Sequence, residues 1–397
     1  MYTEKFKING FMGAAVESGL KKHGGLDFAL IYSERECAAA GVFTTNTVKA
    51  APVLISMDRI SSGRAAAIVV NAGNANACNG NQGIHDAMRT AELIAAKLEI
   101  SPDKVLIAST GVIGSRLDMN CIEKSVPGLV KTLHPDGLTD VSRAIMTTDS
   151  FSKTGVRTVG IGGKICTICG MAKGAGMIMP NMATMLCFIL TDLNIEQTML
   201  NDILKTSVDR TFNRITVDGD TSTNDTVFIL ANGAAENSKS LTPHDADKFK
   251  TALISLLEDL SRMIVKDGEG ATKLVKIEVR GARTPEDAEK AARTIANSNL
   301  VKTALFGCDP NWGRIMAALG RSGIIMDERR IKIEIGGIEI VSEGTAVPGT
   351  AESEAAAVMK TDEYDLTIDL GMGFASDFIL TCDLTHEYIN INADYRS

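Results

Sequence analysis

Residues 173–190 read Lys-Gly-Ala-Gly-Met-Ile-Met-Pro-Asn-Met-Ala-Thr-Met-Leu-Cys-Phe-Ile-Leu, and the rest of the chain can be organised around them. The stretch opens with a cationic, glycine-containing loop at 173–176, passes through Pro180 and Asn181, and becomes continuously apolar after Thr184. Glycine permits backbone angles that other residues avoid, and proline fixes one angle nearby. The pattern therefore predicts a constrained loop that leads directly into a buried strand.

Thr184, at the junction of this loop and strand, has two interpretations. In the first it is a β-branched residue that opens a buried strand, and the pattern alone favours this one. In the second the chain cuts itself between Ala183 and Thr184, by transfer of the preceding acyl group to the threonine hydroxyl. The new N-terminal threonine is then a nucleophile that carries its own base, because a free α-amine titrates near ~8.

The composition is that of a soluble globular protein with a sizeable core. Of 397 residues, 45% are hydrophobic and 23% are charged, and this length predicts two or three domains. The formal net charge is −8 without a long run of like charges, so neither nucleic acid nor a membrane is an expected partner. The sequence has no signal-peptide pattern and no stretch of the roughly 20 apolar residues that span a bilayer. We therefore expect a cytoplasmic protein.

The cysteines and histidines do not form a metal-ligand pattern. Eight cysteines without regular spacing predict reduced thiols in a chain of this length. Cys166 and Cys169 make one CxxC pair, but a zinc or redox site would need a second pair or nearby histidines. We expect two buried thiols in a strand there, and no metal ion or cofactor. Asp218, Asp220 and Asp225 share one polar loop, which suggests either a cation site or a hydrogen-bonded loop.

Predicted strands and helices mix along the whole chain without a strict βαβ alternation, which favours an α/β protein built of α+β layers. Strands are predicted at 27–35 and 41–46, and a β-hairpin is predicted at 156–169. A long amphipathic helix is predicted over 243–265, with Thr242 as its N-cap. No internal repeat or low-complexity linker divides the sequence.

Motifs of glycine, asparagine and hydroxyl residues follow several predicted strands. Besides the stretch at 173–186, they are Gly41-Val-Phe-Thr-Thr-Asn46, Asn71-Ala-Gly-Asn-Ala-Asn-Ala77, Ser109-Thr-Gly-Val-Ile-Gly114, Ile145-Met-Thr-Thr-Asp149, Asp267-Gly-Glu-Gly-Ala-Thr-Lys273, Gly307-Cys-Asp-Pro-Asn-Trp-Gly-Arg314 and Asn392-Ala-Asp-Tyr-Arg-Ser397. Together, and in this order, they make essentially the whole chain resemble the ornithine acetyltransferase (glutamate N-acetyltransferase) family of arginine biosynthesis. Several independent motifs in order are far more specific than any one alone.

The resemblance implies an αββα sandwich of the ornithine acetyltransferase and DmpA-like kind, with a smaller C-terminal domain in roughly 270–380. It also implies cleavage between Ala183 and Thr184, which gives an α fragment of residues 1–183 and a β fragment of residues 184–397. Both fragments would build one fold. By analogy with the family, we expect a heterotetramer of two α and two β fragments.

The reaction implied by the resemblance is acetyl transfer from N-acetylornithine to glutamate by a ping-pong mechanism through an acetyl-enzyme. Thr184 would contact the substrate and attack its acetyl carbonyl. Thr110 and Gly111 match the family's oxyanion hole, where donors stabilise the negative oxygen. A substrate-contacting threonine of the family falls at Thr147 or Thr148, and we favour Thr147. Acetyl-CoA stays open as a second acetyl donor, because family members differ in its use.

Other substrate-binding positions of the family match residues from distant parts of the chain. Lys173 suits a substrate carboxylate, and Glu269 suits a substrate ammonium group. Asn392 and Ser397 match contacts from the C-terminal tail. Many members of the family end in threonine where this chain has Ser397, but both residues offer a hydroxyl group.

Two other functions stay open. A threonine-dependent aminopeptidase or amidase of related architecture would resolve the acyl-enzyme with water instead of an amine, so acceptance of acetyl by glutamate separates it from the transferase. A regulatory or binding protein without catalysis would remain one intact chain and transfer no acetyl group.

Overall fold

The computed structural model describes residues 6–179 and 185–394. The strands are β1 (Phe11–Val16), β2 (Phe28–Phe43), β3 (Arg64–Asn74), β4 (Val105–Val112), β5 (Lys153–Ile161), β6 (Lys164–Lys173), β7 (Leu186–Thr191), β8 (Ile215–Thr216), β9 (Thr226–Ala231), β10 (Leu274–Ala282), β11 (Lys332–Ile335), β12 (Ile338–Ser342), β13 (Thr345–Ala346), β14 (Glu363–Asp369) and β15 (Ala375–Cys382). The helices are α1 (Ala51–Ile60), α2 (Gly80–Leu98), α3 (Met119–Lys131), α4 (Leu138–Ala144), α5 (Gln197–Arg210), α6 (Pro243–Lys266), α7 (Pro285–Ala296), α8 (Asn299–Phe306), α9 (Trp312–Gly320), α10 (Ala351–Met359) and α11 (His386–Asp394). Within the described residues, none of these helices combines the length and the apolar character needed to cross a membrane.

The first sheet has the strand order β4-β3-β2-β9-β7-β6-β5, with β1 paired to β2. Strand β2 is 16 residues long and serves both halves of the sheet. Its first part pairs with β1 and β3, its last part pairs with β9, and the register with β3 shifts between Tyr32 and Cys37. The irregularity lets the sheet fold back on itself, since a bulge bends a strand and increases its twist.

A shared core lies between the two halves of this folded sheet. Ile31, Ile68 and Leu106 from β2, β3 and β4 pack in one cluster with Met171, Phe188 and Phe228 from β6, β7 and β9. The outer face of the β2–β4 half packs against α2 and α3, and the outer face of the β6–β9 half packs against α5 and α6. The layers are therefore helix, sheet, sheet and helix, which confirms the predicted αββα sandwich.

The second sheet, over residues 274–382 with β8 added at one edge, has the order β13-β12-β11-β14-β10-β15-β8. Its strands alternate between buried apolar and more exposed polar residues, as in β14, where Tyr364, Leu366 and Ile368 are buried. The apolar face shares one core with buried residues of α7, α8, α9 and α10. This is the pattern of a sheet with one face covered and the other open to solvent.

Local sequence signals place several elements correctly. Helix α6 begins at Pro243, and the Oγ1 of Thr242 accepts a hydrogen bond from the amide of Asp245 at 3.1 Å, as predicted for an N-cap. Cys166 and Cys169 are buried in β6 as expected. The prediction of two strands at 27–35 and 41–46 is wrong, because one strand continues through the exposed residues Glu34–Glu36 at the bend.

Candidate active site

A polar cavity of about 200 Å³ lies where the ends of several strands of the first sheet meet segments that flank the second sheet. The C-terminal part of β4, the end of β6 and the start of β7 open into it, and so does the loop before β9. Among its lining residues are Ala75, Thr110, Gly111, Thr147, Thr148, Lys173, Gly176, Met177, Met185, Leu186, Asp218, Asp220, Ser222, Asn224, Asp225, Glu269, Tyr388 and Asn392. Six predicted site residues from five separate parts of the sequence are thus brought together.

Three predicted residues, Ala183, Thr184 and Ser397, lie outside the described residues. Met185 and Leu186 line the cavity, and Met185 is joined to Thr184 by a peptide bond. Strand β7 continues from Leu186, and all of its residues are buried, so it is anchored in the core on both faces.

Thr110 and Gly111 lie at the end of β4, where it runs parallel to β3. Gly111 has a φ of 129°, and a Cβ atom at this position would lie 2.4 Å from the carbonyl carbon of Gly73. No other residue fits such a close approach of two backbones. Glycine is therefore required here to bring the Thr110–Gly111 backbone to the edge of the cavity.

Buried amide side chains fix the loop beside this strand end. The Nδ2 of Asn224 donates to the carbonyls of Ala75 at 2.6 Å and Ser109 at 2.8 Å. The Oγ of Ser109 in turn donates to Oδ1 of Asn71 at 2.5 Å. The asparagine-rich motif at 71–77 is thus a hydrogen-bonded wall of the cavity, held to β4 and to the loop before β9.

Lys173 is the last residue of β6, and its ammonium group lies among hydroxyl groups. Its Nζ donates to Oγ1 of Thr147 at 2.7 Å and is 3.4 Å from Oγ1 of Thr110. Thr148 also lines the cavity, but the bond from Lys173 goes to Thr147. The side chain is buried, and burial lowers the pKa of the Lys173 ammonium group, while the nearby Asp149 carboxylate works against that shift.

Behind Lys173 lies a buried ion network that the sequence analysis missed. The Nζ of Lys153 donates to Asp149 at 2.7 Å and to Asp267 at 2.6 Å, and all three side chains are buried. Asp149 also accepts the amide of Gly174 at 2.7 Å and lies 3.8 Å from Nζ of Lys173. Burial opposes its ionisation, but the charges of Lys173 and Lys153 outweigh burial and hold the pKa of Asp149 well below its usual range.

Glu269 and Asn392 meet across the mouth of the cavity. The Nδ2 of Asn392, on α11, donates to Oε2 of Glu269 at 2.7 Å. The amide of Glu269 donates to the carbonyl of Ala175 at 2.9 Å, which joins this loop to the segment after β6. A Cβ at Gly176 would lie 2.4 Å from the Glu269 carboxyl group, so the glycine leaves room for that side chain.

Asp218 holds the segment that precedes Pro180. Its carboxylate accepts the amides of Met177 at 2.6 Å and Ile178 at 2.8 Å, and the hydroxyl of Tyr388 donates to it at 3.3 Å. Met177 has a positive φ of 57°, which is uncommon for a residue with a side chain. Burial raises the pKa of Asp218, and its amide hydrogen bonds act in the opposite direction. The polar loop at 218–225 is thus held by hydrogen bonds.

The sequence contained weak signals for the missed residues. Asp149 ends the motif that supplied Thr147 and Thr148, and Asp267 begins the motif that supplied Glu269. Lys153 stands in no quoted motif, and its role depends on two carboxylates that lie far apart in the sequence. Across the described ranges, no group of three or more His, Cys, Asp or Glu side chains is arranged to hold a metal ion.

The arrangement combines the buried ammonium group of Lys173, several carboxylates, hydroxyl groups and a constrained glycine strand end around a small cavity. Such a set can orient a small zwitterionic molecule and stabilise charge that develops next to it. The fold and site define a layered α/β enzyme with a pocket for a small polar substrate.

Comparisons with known proteins give the family. The model of the ArgJ family matches residues 12–397. The arginine biosynthesis bifunctional protein ArgJ of Desulfotalea psychrophila is 50% identical over 393 residues, covering 98% of this chain and 100% of the relative. The glutamate N-acetyltransferase of Methanocaldococcus jannaschii is 44% identical over 404 residues, covering 99% of this chain and 97% of the relative.

One solved structure, that of arginine biosynthesis bifunctional protein argJ from Bacillus halodurans, is 43% identical with a TM-score of 0.50. The match covers 52% of the chain described here and 98% of the Bacillus halodurans chain. The chain described here belongs to the ArgJ family, and the resemblance predicted from its motifs is confirmed.

Proposed function

We propose that this enzyme transfers the acetyl group of N-acetylornithine to glutamate in arginine biosynthesis. The names of two relatives, a bifunctional arginine biosynthesis protein and a glutamate N-acetyltransferase, support this assignment. The observation that carries it is the cavity itself, which gathers Thr110, Gly111, Lys173 and Glu269 beside Met185, the residue after the proposed nucleophile.

The proposed nucleophile is Thr184 after cleavage of the Ala183–Thr184 bond. The Thr184 hydroxyl oxygen attacks the carbonyl carbon of Ala183, the acyl group moves from nitrogen to oxygen, and water hydrolyses the ester to leave a free amine. The hydrogen bonds from Met177 and Ile178 to Asp218 support this step, because they fix the approach of the preceding segment. Nearly the whole of the Bacillus halodurans argJ chain matches only about half of this chain. This coverage also fits a fold that is made of two polypeptides.

In the proposed first half-reaction, the free amine of Thr184 accepts the hydroxyl proton while the oxygen attacks the acetyl carbon of N-acetylornithine. The tetrahedral oxyanion is stabilised by donors at Thr110 and Gly111, whose backbone the β3–β4 contact fixes. The carbon–nitrogen bond then breaks, and ornithine leaves with the proton. In the second half-reaction the amine of glutamate attacks the acetyl ester and regenerates the threonine.

The charges around the cavity suit these two substrates. Lys173, next to Thr147, would bind the α-carboxylate that ornithine and glutamate share. Glu269 and Asn392 would bind an ammonium group, and Ser397 would add a contact from the tail. The buried pair of Lys173 and Asp149 supports a fixed position for the cation.

The test is mass spectrometry of the denatured protein together with an assay of acetyl transfer. We expect wild type to give fragments 1–183 and 184–397, and Thr184→Ala to remain one uncut, inactive chain. Thr148→Ala is the matched control, because that threonine also lines the cavity, and it should still be cut. An intact wild-type chain that transfers acetyl at full rate would disprove self-cleavage.

The rival function is hydrolysis by a threonine-dependent aminopeptidase or amidase. It predicts release of free acetate from N-acetylornithine at a rate that glutamate does not change. Transfer instead predicts one N-acetylglutamate for each ornithine released. We further propose that the enzyme is cytoplasmic and that it is a heterotetramer of two α and two β fragments. Native mass spectrometry of the purified enzyme tests this subunit composition. Acetyl-CoA remains open as a second acetyl donor.

A further inference from the structure

Lys153 lies at the centre of the buried ion network, yet it does not line the active-site cavity. It is the first residue of β5, and its side chain is fully buried. A lysine ammonium group has three donors. Two go to Asp149 at 2.7 Å and Asp267 at 2.6 Å, and the carbonyl of Phe151 lies 3.5 Å away. All three donors thus face groups of the protein, so Lys153 acts on a substrate only through its two carboxylate partners.

The first partner, Asp149, holds one side of the cavity. It accepts the amides of Thr147 at 3.0 Å and of Gly174 at 2.7 Å, and Gly174 directly follows Lys173. The Nζ of Lys153 is 2.7 Å from Oδ1 of Asp149, whereas the Nζ of Lys173 is 3.8 Å from Oδ2. Asp149 thus makes its shorter ion pair outside the cavity. Lys173 instead donates to the Thr147 hydroxyl at 2.7 Å, which keeps its charge at the cavity wall.

The second partner, Asp267, holds the other side. It comes two residues before Glu269, in the segment that follows α6. Its carboxylate accepts the amide of Ser150 at 3.0 Å and also the hydroxyl of that residue, which joins the Glu269 loop to the segment before β5. Because Lys153 bonds to both carboxylates, one buried ammonium group fixes the two sides of the cavity relative to each other.

The buried network is neutral only when Lys153 is present. Asp149 and Asp267 supply two negative charges, which the ammonium groups of Lys153 and Lys173 balance. Without Lys153, two buried carboxylates would share one cation. Attraction between opposite charges is strong where water is excluded, so Lys173 would move from Thr147 towards Asp149. Its charge would then be paired inside the protein and lost to a bound anion.

We propose that Lys153 is a positioning residue for acetyl transfer, a role that rests on the proposed function. It occupies Asp149 and Asp267, so that Lys173 stays available to the substrate carboxylate and Glu269 keeps its place across the cavity. An amino-acid substrate carries its carboxylate and ammonium groups at set distances, so the spacing of the two binding groups matters. A misplacement of about 1 Å can lower a rate roughly a hundredfold.

The experiment compares the steady-state kinetics of Lys153→Met with those of wild type. Methionine keeps most of the apolar stem but has no charge. We expect the KM values for glutamate and N-acetylornithine to rise roughly tenfold or more, because a charge-assisted contact to the substrate carboxylate is weakened. The kcat value, counted per cleaved chain, should change less. Unchanged KM values in a folded Lys153→Met enzyme would overturn the proposal.

The matched control is Lys302→Met, which removes another buried lysine. The Nζ of Lys302 donates to the hydroxyl of Thr381 at 3.1 Å and to the carbonyl of Cys382. Neither acceptor is among the described residues that line the cavity. This variant should lose stability, measured by thermal unfolding, but keep both KM values nearly unchanged. An equal rise of KM in the two variants would show that loss of any buried lysine has this effect, and would overturn the assignment to Lys153.

A double variant separates stability from positioning. Lys153→Met leaves a buried carboxylate without its cation, and the added change Asp267→Asn removes that charge, so part of the lost stability should return. The bridge between the two loops is still missing, so the KM values should stay high. Their return to wild-type values together with stability would assign Lys153 a purely structural role. The double variant also serves as the test protein if Lys153→Met does not fold.

The alkaline part of the KM profile gives an independent readout. Burial lowers the pKa of Lys173, Asp149 opposes this shift, and the positive charge of Lys153 lowers the pKa further. The rise of KM for glutamate should therefore begin at a higher pH in Lys153→Met than in wild type. The other charged groups that act on Lys173 are the same in both proteins; they are Lys21, Asp149, Asp225 and Glu269. An unchanged onset would contradict the proposed role.

Failure of the proposed function would give a different result. A wild-type enzyme that forms no N-acetylglutamate would refute acetyl transfer, whatever Lys153 does. Calorimetric titration with glutamate and with ornithine then compares wild type with Lys153→Met without turnover. Weaker binding to the variant supports the positioning role, and equal binding overturns it.

Discussion

The two sheets of this molecule are built from different kinds of strand. In the first sheet β7 and β9 are buried along their whole length, because another layer covers each face. In the second sheet β10 and β14 alternate, and their polar residues face outward. Strands that are buried on both faces have no room for polar chemistry along their length, so polar side chains collect at their ends.

This difference assigns different tasks to the two sheets. Thr110, Gly111 and Lys173 lie at strand ends of the first sheet. Among the residues that the structure describes, no strand residue of the second sheet lines the cavity. The segments before β10 and after β15 instead supply Glu269 and Asn392, which bond to each other. The comparison predicts that the first sheet supports the chemistry and the second sheet positions two binding groups.

The largest loss of activity is expected for Lys173→Met, which removes a binding group that the first sheet supplies. It removes a buried cation beside Thr147 and Asp149 and should cost about 2–5 kcal/mol in transition-state binding, roughly 30-fold to several thousand-fold in kcat/KM. Steady-state kinetics with both substrates measure it. Lys276→Met, on the polar face of the second sheet, is the control and should change little; similar losses in the two variants would contradict the assignment.

The next effect is expected for Asp149→Asn, which leaves Lys153 and Lys173 without one of their partners. Breaking a buried pair should lower the free energy of unfolding by about 3–5 kcal/mol, measured by urea titration. Asp365→Asn, on an exposed position of β14, should be nearly neutral. Because the pKa of Asp149 is lowered by folding, its stabilisation is complete above the unfolded value of about 3.9 and is lost as pH falls towards the lowered value. The difference between wild type and Asp149→Asn should therefore shrink in acid.

A paired core substitution sharpens the comparison. Ile189→Ala in β7 and Ile277→Ala in β10 remove the same atoms from fully buried positions, and each should lower stability by about 2–5 kcal/mol. Their kinetic effects should differ. The first should lower kcat, because β7 anchors the residues after Thr184, and the second should mainly raise KM. Equal kcat values in the two folded variants would show that the second sheet is as close to the chemistry as the first.

The smallest effect concerns pH. Burial lowers the pKa of Lys173, so the cationic form is lost as pH rises through a value below the usual ~10.4 of lysine. The KM for glutamate should therefore begin to rise at a lower pH than it would if Lys173 had the usual pKa of lysine. Lys173→Arg keeps its charge at that pH and should flatten the rise, whatever its effect on kcat. A flat KM profile for wild type would exclude Lys173 as the carboxylate-binding group.

The sequence motifs predicted several residues that line the cavity, but not the ion pairs and hydrogen bonds that hold these residues in place. Thr110, Gly111, Glu269 and Asn392 stand in motifs that are visible in the sequence, and all four line one cavity. Lys153 was missed, because a lysine becomes informative only when two distant carboxylates surround it in a buried place. Asp218 was noticed for its acidic neighbours, but its bonds to Met177 and Ile178 depend on tertiary contacts.

The sequence by itself determined the family, the layered α/β class and the capped helix predicted at 243–265. Each follows from the order of the motifs or from local backbone demands that neighbours in the chain can meet. The tertiary structure decided that β2 is one bent strand, that Lys173 donates to Thr147, and that Lys153 pairs with both Asp149 and Asp267. These depend on burial and on contacts between distant segments, and no local pattern records which segments will meet.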